Sequence, residues 1–320
     1  MTADVVHMLD YLIYGKIIID NIRLRDGQVV DGVLGGGGPQ AAFGARLWTE
    51  GVGFLSRAGR DIEPEYLQTL ERLSIDLRGV TLYDDILTLR NQMMTYDENE
   101  YMRDHKGELS RVVIREENWV KLLSQPLTLP AAYTSPRVIH LVTEFADEPM
   151  VHDALTLRAA GATFSLEPLI DFHEWSNRDA IIGLLPQVDL VTPDWLSASS
   201  IAGSDDPRHV VDYWSRLGPK LVAIRHGHHG SYVWDADHDQ LWHIPPVPIQ
   251  VIDPTGAGNS YGGGLSIGWS QTQDALLAGC YASVSAAFLV ERVGLPQLSP
   301  DLMNAANQRF DAAVDAARRL

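Results

Sequence analysis

The sequence predicts an α/β protein, with a mostly parallel central sheet covered by helices and a small β layer beside it. Two observations carry this expectation. Short β-branched runs, RVIHLV (137 to 142), ATFSLE (162 to 167), VDLVT (188 to 192) and LVAIR (221 to 225), alternate with longer helical patterns, as parallel βαβ units require. The runs are nearly continuous apolar stretches rather than alternating ones, which is expected of strands buried on both faces.

Taken in order, YLIYGKIIID (11 to 20) reads as a core strand, and IRLRDGQVVDGV after it reads as two short strands around Asp26-Gly27, a strong hairpin signal. A second strand-rich stretch, VTLYDDILTLRNQMMTYD followed by GELSRVVI, occupies about 80 to 114. Together the pieces at about 21–33 and 80–115 predict a β layer. It serves either as a lid over a ligand site or as an appendage or dimer surface. The segment EPMVHDALTLRAAG carries apolar residues at helical spacing and ends on Gly161, suited to a C-cap. Strand-like VPIQVI precedes a glycine-rich turn, and a helix is expected through SYGGGLSIGWSQ. The Ala- and Leu-rich DALLAGCYASVSAAFLVERVG predicts a buried helix, and DLMNAANQRFDAAVDAARRL an amphipathic one with basic residues at its dipole-favoured end. Neither an internal repeat nor a low-complexity linker interrupts residues 1–320, so one domain is expected.

Composition narrows the function classes. Hydrophobic residues make up 45% and charged residues 21% of 320 positions, enough to bury a sizeable core. With 25 basic against 42 acidic residues the net charge is -17, which disfavours nucleic acid and anionic membranes as partners. A single cysteine, Cys280, allows no intramolecular disulfide and is read as a small core residue, so a cytoplasmic location is expected. The chain shows no basic n-region, and no apolar run reaches the roughly 18 residues that span a bilayer.

The chemistry concentrates in DPTGAGNSYGGG, Asp253 to Gly264. A glycine-rich turn opening a helix offers unpaired N–H groups and a positive dipole end to an anion, and Gly256 and Gly258 let the backbone approach phosphate oxygens. A glycine-rich helix start without a ligand has the same outward form. The histidines of RHGHHG, His226, His228 and His229, lack the further ligand and held geometry that a metal needs, so no metal is expected there.

DPTGAGNSYGGG resembles the D-T-x-G-A-G-D-x-F-x-G-G signature of the PfkB, or ribokinase-like, carbohydrate kinases. LGGGGPQAAFGARLWTEGVGFLSRAGRD (34 to 61) is similar to that family's glycine-rich substrate motif, VDLVTPDWLSAS to its N-x-x-E stretch, and IRHGHHGSYVW to its G-x-x-G nucleotide loop. The resemblance runs over roughly 11 to 295 in family order. It implies a ribokinase-like three-layer α/β/α sandwich with a small β lid, using ATP and Mg2+ to phosphorylate a hydroxyl of a sugar, sugar phosphate or nucleoside. A homodimer through the lid is compatible with it.

Residue by residue, the resemblance assigns Gly256, Ala257 and Gly258 to the anion hole and Asn259 to the catalytic position. Asp20, Gly35, Gly36 and Gln40 fall at substrate positions. Asp194, Arg225, Gly227, Gly230 and Thr255 fall on the nucleotide side. Asp253 matches a residue near a K+ site in several members; capping its own turn is the alternative. Read without the family, Asp20 is a strand-terminating turn residue.

Three departures stand out: Asn259 replaces the carboxylate base, Gln40 replaces a substrate-holding Asn, and Asp194 with Ser197 replaces N-x-x-E. A carboxamide supplies no general base, a contribution worth about 10²- to 10⁴-fold. Phosphoryl transfer nonetheless depends mostly on positioning and charge stabilisation. Three readings of Asn259 therefore stay open: a GAGN subgroup with altered, slower chemistry, an inactive binding protein acting as sensor or scaffold, and an introduced substitution.

Overall fold

The computed structural model describes residues 9–97, 102–103, 117–171 and 174–320. The strands are β1 (Tyr11–Tyr14), β2 (Ile18–Arg23), β3 (Val29–Gly35), β4 (Val52–Gly59), β5 (Asp76–Tyr83), β6 (Leu89–Tyr96) and β7 (Met102–Arg103). They continue with β8 (Val138–Thr143), β9 (Thr163–Pro168), β10 (Leu190–Val191), β11 (Leu221–Arg225), β12 (Ser231–Asp235), β13 (Gln240–Ile244) and β14 (Arg318–Arg319). The helices are α1 (Gly38–Arg46), α2 (Pro64–Arg72), α3 (Glu117–Leu123), α4 (Pro149–Ala159) and α5 (Arg178–Leu184). The rest are α6 (Trp195–Ala202), α7 (Pro207–Ser215), α8 (Ala257–Thr272), α9 (Ala275–Val290) and α10 (Pro300–Ala316).

The large sheet runs β14-β13-β12-β11-β10-β9-β8-β1-β4-β5. From β11 to β5 neighbouring strands are parallel, and β12, β13 and β14 extend the far edge antiparallel. The chain leaves β1 on one side towards β4 and returns on the other through β8, so the strand order reverses at β1. Ligands bind at the carboxyl ends of strands beside such a reversal. One apolar core joins α1, α8, α9 and α10 to one face of the sheet, and another lies under α4, α6 and α7 on the other face.

The second sheet, β3-β2-β6-β7, is the expected β layer with revised boundaries. YLIYGKIIID is two strands rather than one. It breaks at Gly15, where a Cβ would lie 2.5 Å from the Gly38 Cα, and the chain crosses from β1 in the large sheet to β2 in the small one. Residues 80–83 belong to β5 at the edge of the large sheet, so the small sheet resumes only at β6. The hairpin at Asp26-Gly27 forms as expected: β2 and β3 pair antiparallel around it, with Gly27 at φ +88°. The GELSRVVI run lies outside the described residues.

Two further expectations change. VPIQVI adopts no strand: Pro248 within it, like Pro245 and Pro246 just before it, has no N–H to give a ladder. The terminal Arg318 and Arg319 leave the last helix and pair as β14 with His243 and Trp242. Gly161 does turn at the end of α4, with φ +108°. The predicted helices α8 and α9 are long and largely buried. Their glycines set the spacing around α8: a Cβ on Gly263 would lie 2.0 Å from the Ala41 carbonyl oxygen of α1.

Candidate active site

The carboxyl ends of neighbouring parallel strands converge beside the amino end of α8. Glu167 stands at the end of β9, Asp194 just beyond β10, and Arg225 at the last position of β11. Opposite them lies Asn259 in the first turn of α8, after Gly256 at φ +76°. Asp20, on β2 of the small sheet, closes the far side and is buried.

Two cavities meet here. The first, about 260 Å³, is polar at its base, with Lys16, Asp20, Glu167, Asp194, Arg225 and Asn259. The small sheet covers it with Ile18, Met94, Tyr96 and Met102. The second, about 300 Å³, is walled by Val247, Val251, Ala286 and Val290 and reached past Gly227, His228 and Gly230. Arg225, Ala257 and Gly258 line both, so the glycine turn and one guanidinium form the seam between a polar and an apolar chamber.

At the seam, Glu167 organises the side chains. Its Oε1 accepts from Arg225 Nη1 at 2.6 Å and from Asn259 Nδ2 at 2.9 Å. His140, which bonds Ser165 Oγ at 2.8 Å through Nδ1, brings Nε2 within 3.8 Å of Glu167 Oε2. Burial alone would raise the Glu167 carboxyl, but Arg225 and His140 outweigh it and hold it below the usual carboxylate range. The guanidinium lies against the helix start: a Cβ on Gly258 would sit 1.9 Å from Arg225 Nη1. Arg225 Nε is buried with no hydrogen-bond partner among the described residues.

The predicted residues divide by position. Gly256, Ala257, Gly258, Asn259, Asp20, Gly36, Gln40, Asp194, Arg225 and Thr255 come together around the polar cavity, and Gly227 and Gly230 face the apolar one. The Ala257 N–H turns back onto the Pro254 carbonyl at 3.2 Å, which directs one expected anion-hole amide into the turn itself. Gly35 lies behind the wall, where a Cβ would fall 1.8 Å from Asp20 Oδ2, so it makes room for that carboxylate. Gln40 donates from Nε2 to the Leu34 carbonyl at 2.9 Å and accepts at Oε1 from the Gly37 N–H at 3.2 Å. Its amide thus clasps the glycine turn.

Asp253 accepts at Oδ1 from both the N–H and the hydroxyl of Thr255, at 3.0 and 2.6 Å, and burial raises its carboxyl. A void of about 10 Å³, near the size of one water, lies beside Asp253 and Thr255. His226 stacks on Trp195 with centroids 4.1 Å apart, and burial with its neighbouring histidines lowers it to about 4. Cys280 is buried, which pushes its thiol up to about 12.

Sequence reasoning missed Glu167, Gly37 and Lys16. Glu167 is the one charged residue of β9, and Lys16 interrupts the apolar run YLIYGKIII; such charges were the available signal. Gly37 has φ +86°, and a Cβ there would meet Asn259 Nδ2 at 2.9 Å. Lys16 is buried in an ion pair with Glu144 where β1 gives way to β2.

A doubly covered parallel sheet, a small covering sheet and two chambers joined at a glycine turn define the ribokinase-like class of fold. The PfkB family carbohydrate kinase profile matches residues 8–301, and the chain belongs to that family. The cytidine kinase of Thermococcus kodakarensis is 26% identical over 264 residues, covering 82% of this chain and 90% of the relative. The nucleoside kinase of Methanothermobacter thermautotrophicus is 27% identical over 285 residues, covering 85% and 82%. Among solved structures, a double mutant of the Vibrio cholerae fructokinase in its fructose-, ADP- and potassium-bound form has a TM-score of 0.71 at 18% identity. That match covers 96% of this chain and 99% of the fructokinase. No helix among the described residues is long and apolar enough to cross a membrane.

Proposed function

We propose that the protein transfers the γ-phosphoryl group of ATP to a sugar hydroxyl of a nucleoside. The observation that carries this reading is the seam, where a polar and an apolar chamber share Arg225, Ala257 and Gly258. The apolar chamber suits the adenine of ATP, leaving its phosphates at the α8 amino end, near Gly256 and Gly258. The polar chamber suits ribose hydroxyls, with Asp20 an acceptor-only group for them. Met94, Tyr96 and Met102 above it offer the flat, polarizable cover that a base stacks on. The relatives named cytidine kinase and nucleoside kinase support this substrate class over a simple sugar.

The substrate oxygen attacks the γ-phosphorus, the bond to the β,γ-bridging oxygen breaks, and ADP leaves. Asn259 accepts the attacking hydroxyl's hydrogen bond and orients it. The hydroxyl proton passes to an oxygen of the transferred phosphoryl group, since a carboxamide cannot hold it. The described residues contain no cluster of three or more side chains able to cage a metal. The Asp194 carboxylate, which lines the polar cavity, would hold Mg2+ carried by the nucleotide, and the ion would supply neutralisation of phosphate charge. Asp253 and the void beside it are the residues we assign to K+. Asn259 and Ser197 favour one second reading, a protein that binds these ligands without turnover.

ADP release with Mg·ATP and K+, measured across nucleosides, sugars and sugar phosphates, tests the proposal. We expect turnover with a nucleoside, dependent on K+. ATP binding without turnover on any acceptor establishes the second reading, and turnover only on a simple sugar overturns the substrate class.

A further inference from the structure

We infer that Glu167 is a positioning residue that binds Asn259 and Arg225 into one unit, carrying the negative charge that position 259 lacks. This rests on the kinase reading above and adds a residue to which the sequence motifs assign no role. Three geometric facts support it. A single oxygen, Glu167 Oε1, accepts from both Arg225 Nη1 and Asn259 Nδ2. The carboxylate is 1% exposed, so it is itself shielded from water. Gly37 approaches the Asn259 amide so closely that a Cβ there would lie 2.9 Å from Nδ2 and 3.2 Å from Oδ1.

The consequences are specific. Because Nδ2 is committed to Glu167, Oδ1 is the end of the amide left to accept a substrate hydroxyl. Because Nη1 is committed as well, the guanidinium is held with its Nη1 end against Gly258, at the seam, and its Nε–H has no partner among the described residues. A fixed cation there meets the charge spread over a transferring phosphoryl group without reorganising. A carboxylate at 259 would face Glu167 at hydrogen-bond distance with no proton between them. Asn259 and Glu167 therefore form a matched pair, which explains how the chain carries Asn where the family signature has Asp.

A two-residue exchange tests this. Asn259→Asp places a second carboxylate beside Glu167, so kcat falls about tenfold or more while ATP affinity stays within about threefold. Glu167→Gln alone loosens Arg225 and also lowers kcat. Combining the two removes the clash and leaves a carboxylate at 259, so kcat recovers at least to the level of the unaltered protein. Additive losses, or an Asn259→Asp protein faster than the unaltered one, overturn the inference. ATP binding by calorimetry and thermal unfolding of all four proteins run alongside. ATP binding with no turnover in any of the four defeats the kinase reading. The pairing is then read from unfolding midpoints, which drop in Asn259→Asp and return in the double variant. Four equal midpoints overturn the pairing itself.

Discussion

Glu167 near the end of β9 and Glu148 at the amino end of α4 are 1% and 6% exposed, and each has an arginine nearby, yet their surroundings drive them in opposite directions. Burial raises the Glu148 carboxyl. Its hydrogen bonds come from the Tyr14 and Thr143 hydroxyls, while Arg57 stays 3.6 Å off, its Nη1 donating to Tyr14 Oη and its Nε to the Gln125 carbonyl. Glu167 instead takes a guanidinium directly at 2.6 Å and is held ionised. The difference lies in the partner's geometry rather than in burial. A carboxyl bonded to hydroxyls tolerates a proton and serves packing, whereas one bonded to a cation and an amide keeps its charge and orients them.

The sharpest way to break this contrast is to disturb Arg225 without touching the fold. In Gly258→Ala the new Cβ occupies the place of Nη1, the far end of a flexible side chain, while alanine suits the helix. We expect kcat to fall about 10²- to 10³-fold, because a preorganised donor is lost from the site of charge development. An unchanged kcat would remove Arg225 from the machinery.

Glu148→Gln sharpens the contrast from the other side. It disturbs a buried network outside both cavities, so we expect about 1–3 kcal/mol lower stability in urea with kcat within about twofold.

The smallest effect is on pH dependence. The folded Glu167 carboxyl lies below its ordinary value of 4.5, so its stabilising contribution is complete above pH 4.5 and is lost as pH falls through the folded value. The folded Glu148 carboxyl lies above 4.5, so its contribution is complete below pH 4.5 and is lost as pH rises through its folded value. Urea unfolding across that range should show Glu167→Gln flattening the acid limb and Glu148→Gln flattening the limb above pH 4.5. The same slope change from both variants would contradict the comparison.

How far these features could be read from sequence follows from their range. The Asp26-Gly27 hairpin and the Asp253-to-Asn259 turn were legible because a positive-φ glycine and an orphaned helix start are decided by a few adjacent residues. YLIYGKIIID misled because apolar strands of two different sheets look alike until Gly15 meets Gly38. Gln40 was placed among substrate groups, yet Leu34 and Gly37 occupy its amide; only the folded turn brings those backbone atoms within reach.

The sequence by itself determined the αβ alternation, the glycine turn and the absence of a carboxylate at 259, since each is a matter of local residue type. Tertiary structure decided what Asn259 faces. Its partner Glu167 lies 92 residues earlier and Arg225 lies 58 residues beyond Glu167, so the charge that completes the site exists only once β9, β11 and α8 are packed together. Electrostatic interactions act through space, and in a buried site their strength depends on distances that chain order does not encode.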